Sequence, residues 1–411
     1  MKTNAYVAGV GMTHFGRHLD RGLKSIGGEC IEQAIKDAGI SKEDIEVAYM
    51  SNAAAGVITG QECIRGQVIL RGMGIGQIPV INVENACASG STALHQAAAM
   101  ITAGLYDIAL VAGVEKLYHE DKLRSMGAFK GAVDVEELDK ILANLQKRAA
   151  ESGATNASKG AGEKRSMFMD IYATAARAHM EAYGTTQKHF AMISEKNSYN
   201  GSLNERAQFR DALSVEDVLA APVIAEPLTR PMCSPIGDGG AAVILVSERK
   251  AGELGLNNPV KIASCVLHSG WDGVLGDTKS VGELCAKEAY ELSGVGPGDL
   301  SVAEVHDASS PAEIIAYETL GFCAKGEGGK LIEDGVTRLG GALPVSTSGG
   351  LLRKGHPIGA TGVAQIVELT EQLMGRSGKR QVEGAKTALA HNGGGSIGTD
   401  AAAQVVTVLT R

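Results

Sequence analysis

Short apolar runs alternate with stretches of helical period along the 411 residues. The run AYVAGVG at residues 5–11 reads as a first strand. Leu23, Ile26, Cys30, Ile31, Ala34 and Ile35 then share one stripe of a helix predicted over residues 22–38, and Gly39 stops it. The segments IEVAYM (45–50) and IPVINVENA (78–86) are apolar enough to predict strands buried on both faces. STALHQAAAMITAG (91–104) predicts a helix ended by Gly104, with the next strand at 107–115. Strand–helix alternation of this kind predicts an α/β fold on central, mostly parallel strands.

From about residue 119 to 213 the rhythm changes. Charge, Ser, Gly and Asn rise, helices such as MFMDIYATAARAHMEAYG (167–184) are amphipathic, and no central strand is evident. The segment reads as a helical and loop insertion over the core, and strands resume at 241–248.

Parts of the pattern return about 255 positions later. DIEVAYMSNAA (44–54) resembles DLSVAEVHDAS (299–309), and IPVINVENACASGSTAL (78–94) aligns loosely with LPVSTSGGLLRKGHPIG (343–359). ALVAGVE (109–115) and ALAHNGG (388–394) follow in the same order. One repeat of half the chain predicts two similar domains packed together, here residues 1–258 and 259–411, whose matching turns meet at a pseudo-two-fold interface.

Composition narrows the function classes. A formal net charge of −8 argues against nucleic acid or an anionic membrane as partner. No stretch approaches eighteen uninterrupted apolar residues, and the N-terminus lacks the apolar core of a signal peptide. The seven cysteines are scattered without CxxC spacing, which fits reduced thiols in a cytoplasm better than disulfides or a zinc site. We therefore expect a soluble cytoplasmic protein without a metal. Gly, at 54 residues, is about twice its usual share and implies tight turns and close backbone approaches.

Four turns carry chemistry that packing does not require. Cys87, in ENACASGS, lies between a strand and a helix, where the positive end of the helix dipole favours thiolate; a small buried hydrophobe is the other reading. His356, in GGLLRKGHPIGATG (349–362), is held between glycines and Pro357 and suits a base that activates a thiol. His306 and Asp307 end a strand in EVHDASSPAEI (304–314), where Ser309 or Ser310 is the expected N-cap and Pro311 the first helical residue. His391 precedes three glycines in AHNGGGSIGTD (390–400), an arrangement that lets backbone N–H groups approach a bound oxygen. Neither a GxxxxGK[ST] loop nor a dinucleotide fingerprint occurs.

At these four segments the chain resembles the thiolases. NACASGSTAL is similar to the thiolase nucleophile segment, GGLLRKGHPIGATG to the His segment, and HNGGG occupies the place of the Cys-x-Gly-Gly-Gly loop. PLTRPMCSPIGDGGAAVIL (227–245) resembles the Asp-Gly-Ala-rich stretch of the superfamily. VHDAS is similar to the His-Asp-Cys-Phe motif of the sterol-carrier-protein-2 type, and nearer to its archaeal and bacterial acetyl-CoA acetyltransferase-like relatives. The resemblance implies a five-layered αβαβα fold of two duplicated halves with an inserted loop domain, a homodimer or tetramer, acyl-CoA and coenzyme A as substrates, and no tightly bound cofactor. It makes Cys87 the acyl-accepting nucleophile and His356 its base, with the N–H groups of Cys87 and Gly393 holding the thioester oxyanion and His306, with His356, the enolate oxygen. Both family cysteines that serve as second acid/base are replaced, by His391 and Ala308. His391 then stands as the proton shuttle. Some relatives work with a small subunit carrying a zinc ribbon and an oligonucleotide-fold domain, a partner this resemblance allows. A thiolase-like aldolase or synthase, and a non-catalytic acyl-CoA or lipid carrier or scaffold, are the rival readings.

Overall fold

The computed structural model describes residues 1–152, 154, 165–272 and 280–411. Its strands are β1 (Lys2–Met12), β2 (Val47–Ser51), β3 (Val80–Val83), β4 (Ile108–Glu115), β5 (Val223–Ala225), β6 (Leu228–Thr229), β7 (Gly239–Ser247), β8 (Val260–His268), β9 (Val302–Glu304), β10 (Thr387–Ile397) and β11 (Asp400–Thr410). β5 and β6 form a small ribbon, and the other nine make one sheet in the order β3-β2-β4-β7-β1-β8-β11-β10-β9.

The internal echo in the sequence has a structural counterpart. Outward from the β1–β8 junction, β7, β4, β2 and β3 follow on one side, paired antiparallel, antiparallel, parallel and parallel. On the other side β11, β10 and β9 follow with the same directions, and a single parallel bridge from Ala303 to Val345 takes the outermost place. Pro79–Val80 and Pro344–Val345 thus sit at equivalent edges.

The expectation of mostly parallel strands fails. Among the described residues the main sheet has three parallel pairs, β2–β3, β2–β4 and β9–β10. Five are antiparallel: β1–β7, β1–β8, β4–β7, β8–β11 and β10–β11. β10 and β11 show why: only Gly398 and Thr399 separate them, and a parallel crossover needs a dozen residues or more. β3 is also not buried on both faces, because it is an edge strand with Asn82 exposed.

Alternation along the strands builds the layers. In β2, Val47 and Tyr49 face one apolar cluster while Ala48 and Met50 face another. In β11, Val405 and Leu409 face that same first cluster, and Val406 and Val408 a third. The shared cluster holds the helices Ser89–Thr102 and Thr361–Leu373, which pack between the two parts of the sheet. The helix Leu23–Ala38, with Gly39 left-handed at its C-cap (φ 67°), covers one outer face, and Val281–Ser293 and Ser310–Thr319 cover the other. The result is helix, sheet, helix, sheet, helix, the thiolase-like layered fold.

A helix buried on all sides must satisfy its polar groups internally. In Thr361–Leu373, Glu368 pairs with Arg380 (2.8 Å), and Gln365 donates to the carbonyls of Val305 and His391 (both 3.1 Å). The central helix thereby grips the strand ends that carry His306 and His391. Over residues 119–213 the described chain forms the helices Lys122–Gly127, Leu138–Glu151, Phe168–Tyr183 and Gln187–Ser202, with no strand of the main sheet. Among the described residues no helix is long and apolar enough to cross a membrane.

Candidate active site

Four turns bring their side chains to one cavity of about 1060 Å³, whose lining includes Cys87, His306, His356, His391 and Gly393. The Cys87 sulfur and one ring nitrogen each of His306 and His356 lie within 4.8 Å of one another. The His306 and His356 rings meet edge to face with centroids 5.3 Å apart.

Cys87 occupies the short turn Ala86–Ala88 leading into the helix Ser89–Thr102. Ala86 is held at φ 47°, a left-handed conformation unfavourable for a residue with a Cβ. The glycines after His391 explain how the turn is kept. A Cβ at Gly394 would stand 2.2 Å from the Asn85 carbonyl oxygen and 2.6 Å from the Ala88 nitrogen, so only glycine lets β10 lie against this turn. The Gly395 N–H faces the Cys87 sulfur, while Gly393 lies opposite Gln404 in the β10–β11 ladder.

The expected thiolate is not the resting form. Burial, helped by the Glu115 and Glu84 carboxylates, pushes the Cys87 thiol up to about 12, against the pull of the Gly395 and Cys87 N–H groups. Loss of solvation outweighs the helix dipole here. His356 is brought down to about 3 by burial and then by Lys354, and His391 to about 4 by burial. Burial first, then His356 and His391, holds His306 well below its ordinary value. At neutral pH the site is a thiol among three neutral imidazoles.

Hydrogen bonds assign each ring a tautomer. The Thr361 hydroxyl donates to the Pro357 carbonyl (3.1 Å), so its oxygen accepts from His356 Nδ1–H (2.7 Å) and leaves Nε2 with a lone pair. Asn392 Nδ2 donates to His306 Nδ1 (3.0 Å), which puts the His306 hydrogen on Nε2. The backbone N–H of His306 donates to His391 Nδ1 over a long 3.3 Å. One ring is therefore set to accept and another to donate.

Asp307 is absent from the cavity wall. Its carboxyl accepts from the Leu351 N–H and from Asn197 (both 2.8 Å), and burial and Glu313 raise it well above the usual carboxylate range. It anchors the His306 loop to the short helix Gly350–Arg353 before His356. Ser309 is the N-cap of the helix Ser310–Thr319, accepting from the Ala312 N–H, so Pro311 is its second residue rather than its first. Glu115, at the end of β4, accepts from the N–H groups of Ala53 (3.0 Å), Ala54 (3.2 Å) and Gly359 (2.9 Å), tying the His356 turn to β2.

Thr361, Asn392 and Ser91 present no unusual residue type and do not stand out in the sequence, and neither do Tyr172 and Cys233. Both of the last two line the cavity, and burial and the Cys87 sulfur raise the Tyr172 phenol. The run His391–Asn392–Gly393 was the one signal from which Asn392 was recoverable.

The layered α/β fold places a thiol and three imidazoles at the turn ends of one cavity, an arrangement suited to acyl transfer. The family model "Thiolase, N-terminal domain" matches residues 5–249, and "Thiolase C-terminal domain-like" matches residues 278–411. The chain is 40% identical over 400 residues to "Acetyl-CoA acetyltransferase" of Methanothermobacter thermautotrophicus, covering 96% of this chain and 97% of that one. It is 35% identical to "Benzoylsuccinyl-CoA thiolase subunit BbsB" of Thauera aromatica, with 96% of each chain covered. It is 37% identical to "Sterol carrier protein 2" of Bos taurus, covering 95% of this chain and 70% of the relative. The fold is also that of the "Ltp2-ChsH2(DUF35) aldolase" structure, at a TM-score of 0.76 and 24% identity, covering 98% and 97% of the two chains. This chain belongs to the thiolase family.

Proposed function

We propose that the protein is an acyl-CoA:acetyl-CoA C-acyltransferase that cleaves or forms 3-oxoacyl-CoA through an acyl group on Cys87. The observation that carries this reading is the meeting of the Cys87 sulfur with the imidazoles of His356 and His306 within 4.8 Å, at the wall of a 1060 Å³ cavity.

In cleavage, the His356 lone pair takes the thiol proton as the sulfur attacks the 3-oxo carbonyl carbon. Transfer is coupled to attack because the resting thiol is held protonated. Backbone N–H groups of the Cys87 turn and of the Gly393–Gly395 run hold the tetrahedral oxyanion. The bond between the carbonyl and α-carbons breaks, and its electron pair leaves as an enolate. The Nε2–H of His306 and the Nε2–H that His356 has gained hold the enolate oxygen. His391 takes the α-carbon proton as base in condensation; in cleavage it passes to the α-carbon a proton drawn from solvent, which the coenzyme A thiol gives back when it takes the acyl group. Using its lone pair gives up the 3.3 Å contact with the His306 N–H, which costs about 1 kcal/mol. Coenzyme A then removes the acyl group from Cys87.

The pairing of thiol and base supports acyl transfer over an aldolase or a non-catalytic carrier, neither of which needs an acylated cysteine. Phe129, Phe168, Met169 and Tyr172 of the insertion line the cavity, which supports acyl groups larger than acetyl. The proposal includes a cytoplasmic homodimer or tetramer, coenzyme A as substrate with no bound cofactor, and a small zinc-ribbon/oligonucleotide-fold subunit as partner. Mass spectrometry of peptides after incubation with a 3-oxoacyl-CoA tests the core of it. The acyl group is expected on Cys87 and absent from Cys87→Ser, and acylation elsewhere would overturn the assignment.

A further inference from the structure

Two hydrogen bonds form a line behind His306. The Ser91 hydroxyl, on the helix that begins at the nucleophile turn, donates to Asn392 Oδ1 (2.9 Å), and Asn392 Nδ2 donates to His306 Nδ1 (3.0 Å). The three residues come from the central helix, from β10 and from the loop after β9, and all are buried. A Cβ at Gly362 would stand 2.1 Å from Ser91 Oγ and 2.8 Å from Asn392 Oδ1, so the second central helix presses on this junction as well.

The chemistry of the groups fixes the direction of the line. A carboxamide oxygen only accepts and its nitrogen only donates. With Asn392 Oδ1 turned toward the Ser91 hydroxyl, the amide presents its N–H to the imidazole. His306 Nδ1 must be the lone pair, and the ring hydrogen is left on Nε2, on the edge free for the cavity.

We propose that Ser91 and Asn392 are positioning residues that lock His306 as an Nε2–H donor, the form able to hold an enolate oxygen. The proposal rests on the enolate role given to His306 above. Without the amide, a neutral His306 is free to place its lone pair toward the cavity, where it repels an enolate. Tight packing of all three groups makes the choice independent of solvent. It also connects the first half of the chain, which supplies the thiol, to the imidazole that acts at the next step.

The decisive variant is Asn392→Asp, equal in shape but an acceptor on both sides when ionised. Ser91 still donates to it, but His306 Nδ1 must now donate as well, so the neutral ring presents a lone pair at Nε2. Acylation of Cys87 by acetyl-CoA is expected to stay within about threefold of wild type, while deuterium exchange at the acetyl-CoA α-carbon falls by about 10²-fold, the usual effect of losing one oxyanion donor. Ser91→Ala releases the amide to turn and is expected to lower α-exchange by roughly tenfold with acylation preserved. Nitrogen NMR of ¹⁵N-histidine-labelled wild-type protein reads the lock directly, with the His306 signals assigned by their loss in His306→Gln. An Nε2–H tautomer at pH 7 is expected, and an Nδ1–H tautomer or an imidazolium overturns the proposal whether or not the variants fold. Unchanged α-exchange in Asn392→Asp overturns it too, and unchanged exchange in Ser91→Ala removes Ser91 from the line. Failure of wild-type Cys87 to be acylated would instead defeat the acyl-transfer reading, with the NMR result still judging the lock.

Discussion

Gly394→Ala isolates the contact between the glycine run and the nucleophile turn. The added methyl carbon would stand 2.2 Å from the Asn85 carbonyl oxygen, 2.6 Å from the Ala88 nitrogen and 2.8 Å from the Ala88 Cβ. The first two are backbone atoms flanking Cys87 and cannot rotate away. The 2.2 Å approach is roughly 1 Å inside ordinary contact, so the turn must move by about that much. Overpacking of this kind costs about 1–3 kcal/mol of stability. A 1 Å displacement of a reacting group costs about 10²-fold in rate. Gly393→Ala is the internal control. Its methyl would meet only the Gln404 side-chain oxygen, at 3.0 Å, which can swing aside, and its N–H is kept. A stopped-flow burst of acylation with a 3-oxoacyl-CoA, together with Tm, reads both effects. The expected result is a burst slowed about 10²-fold and a lowered Tm in Gly394→Ala, with the Tm of Gly393→Ala close to wild type. An equal Tm in the two variants, or a wild-type burst in Gly394→Ala, would refute the reasoning that the glycines serve the turn.

With the Cys87 thiol pushed up to about 12, iodoacetamide inactivation should accelerate about tenfold per pH unit from pH 6 to 9, and a plateau near neutrality would reveal a stabilised thiolate instead. Because His356 is lowered to about 3, protonation removes the base only as pH falls toward that value; the acylation rate should keep its plateau between pH 5 and 8, and a limb near 6.5 would contradict it. Thr361→Val leaves the His356 Nδ1–H buried without an acceptor, which should cost about 1–3 kcal/mol in urea unfolding and about tenfold in acylation, with Thr361→Ser close to wild type. His391→Ala is expected to retain Cys87 acylation by acetyl-CoA and to stop condensation, and equal loss of both half-reactions would reduce His391 to shaping the loop.

The chain alone disclosed its layers and its reactive turns. The stripe from Leu23 to Ala34, the stop at Gly39 and the run at residues 107–115 are local patterns, and each became the element its period indicated. The echoing Pro79–Val80 and Pro344–Val345 segments lie at corresponding sheet edges, the first opening strand β3 and the second making a single bridge from Val345 to Ala303. Cys87, His306, His356 and His391 stood out because reactive side chains beside glycines at strand ends are hard to explain by packing. Strand direction was not legible, because the pairing of β1 with β7 and β8 joins residues more than two hundred apart. Ionisation was not legible either: only the folded core could strip water from Cys87 strongly enough to overcome the helix dipole. Nor could a sequence say which nitrogen of each imidazole carries a hydrogen. That was decided by partners such as Thr361, five residues on in the turn after His356, and Asn392, brought beside His306 by the pairing of β9 with β10.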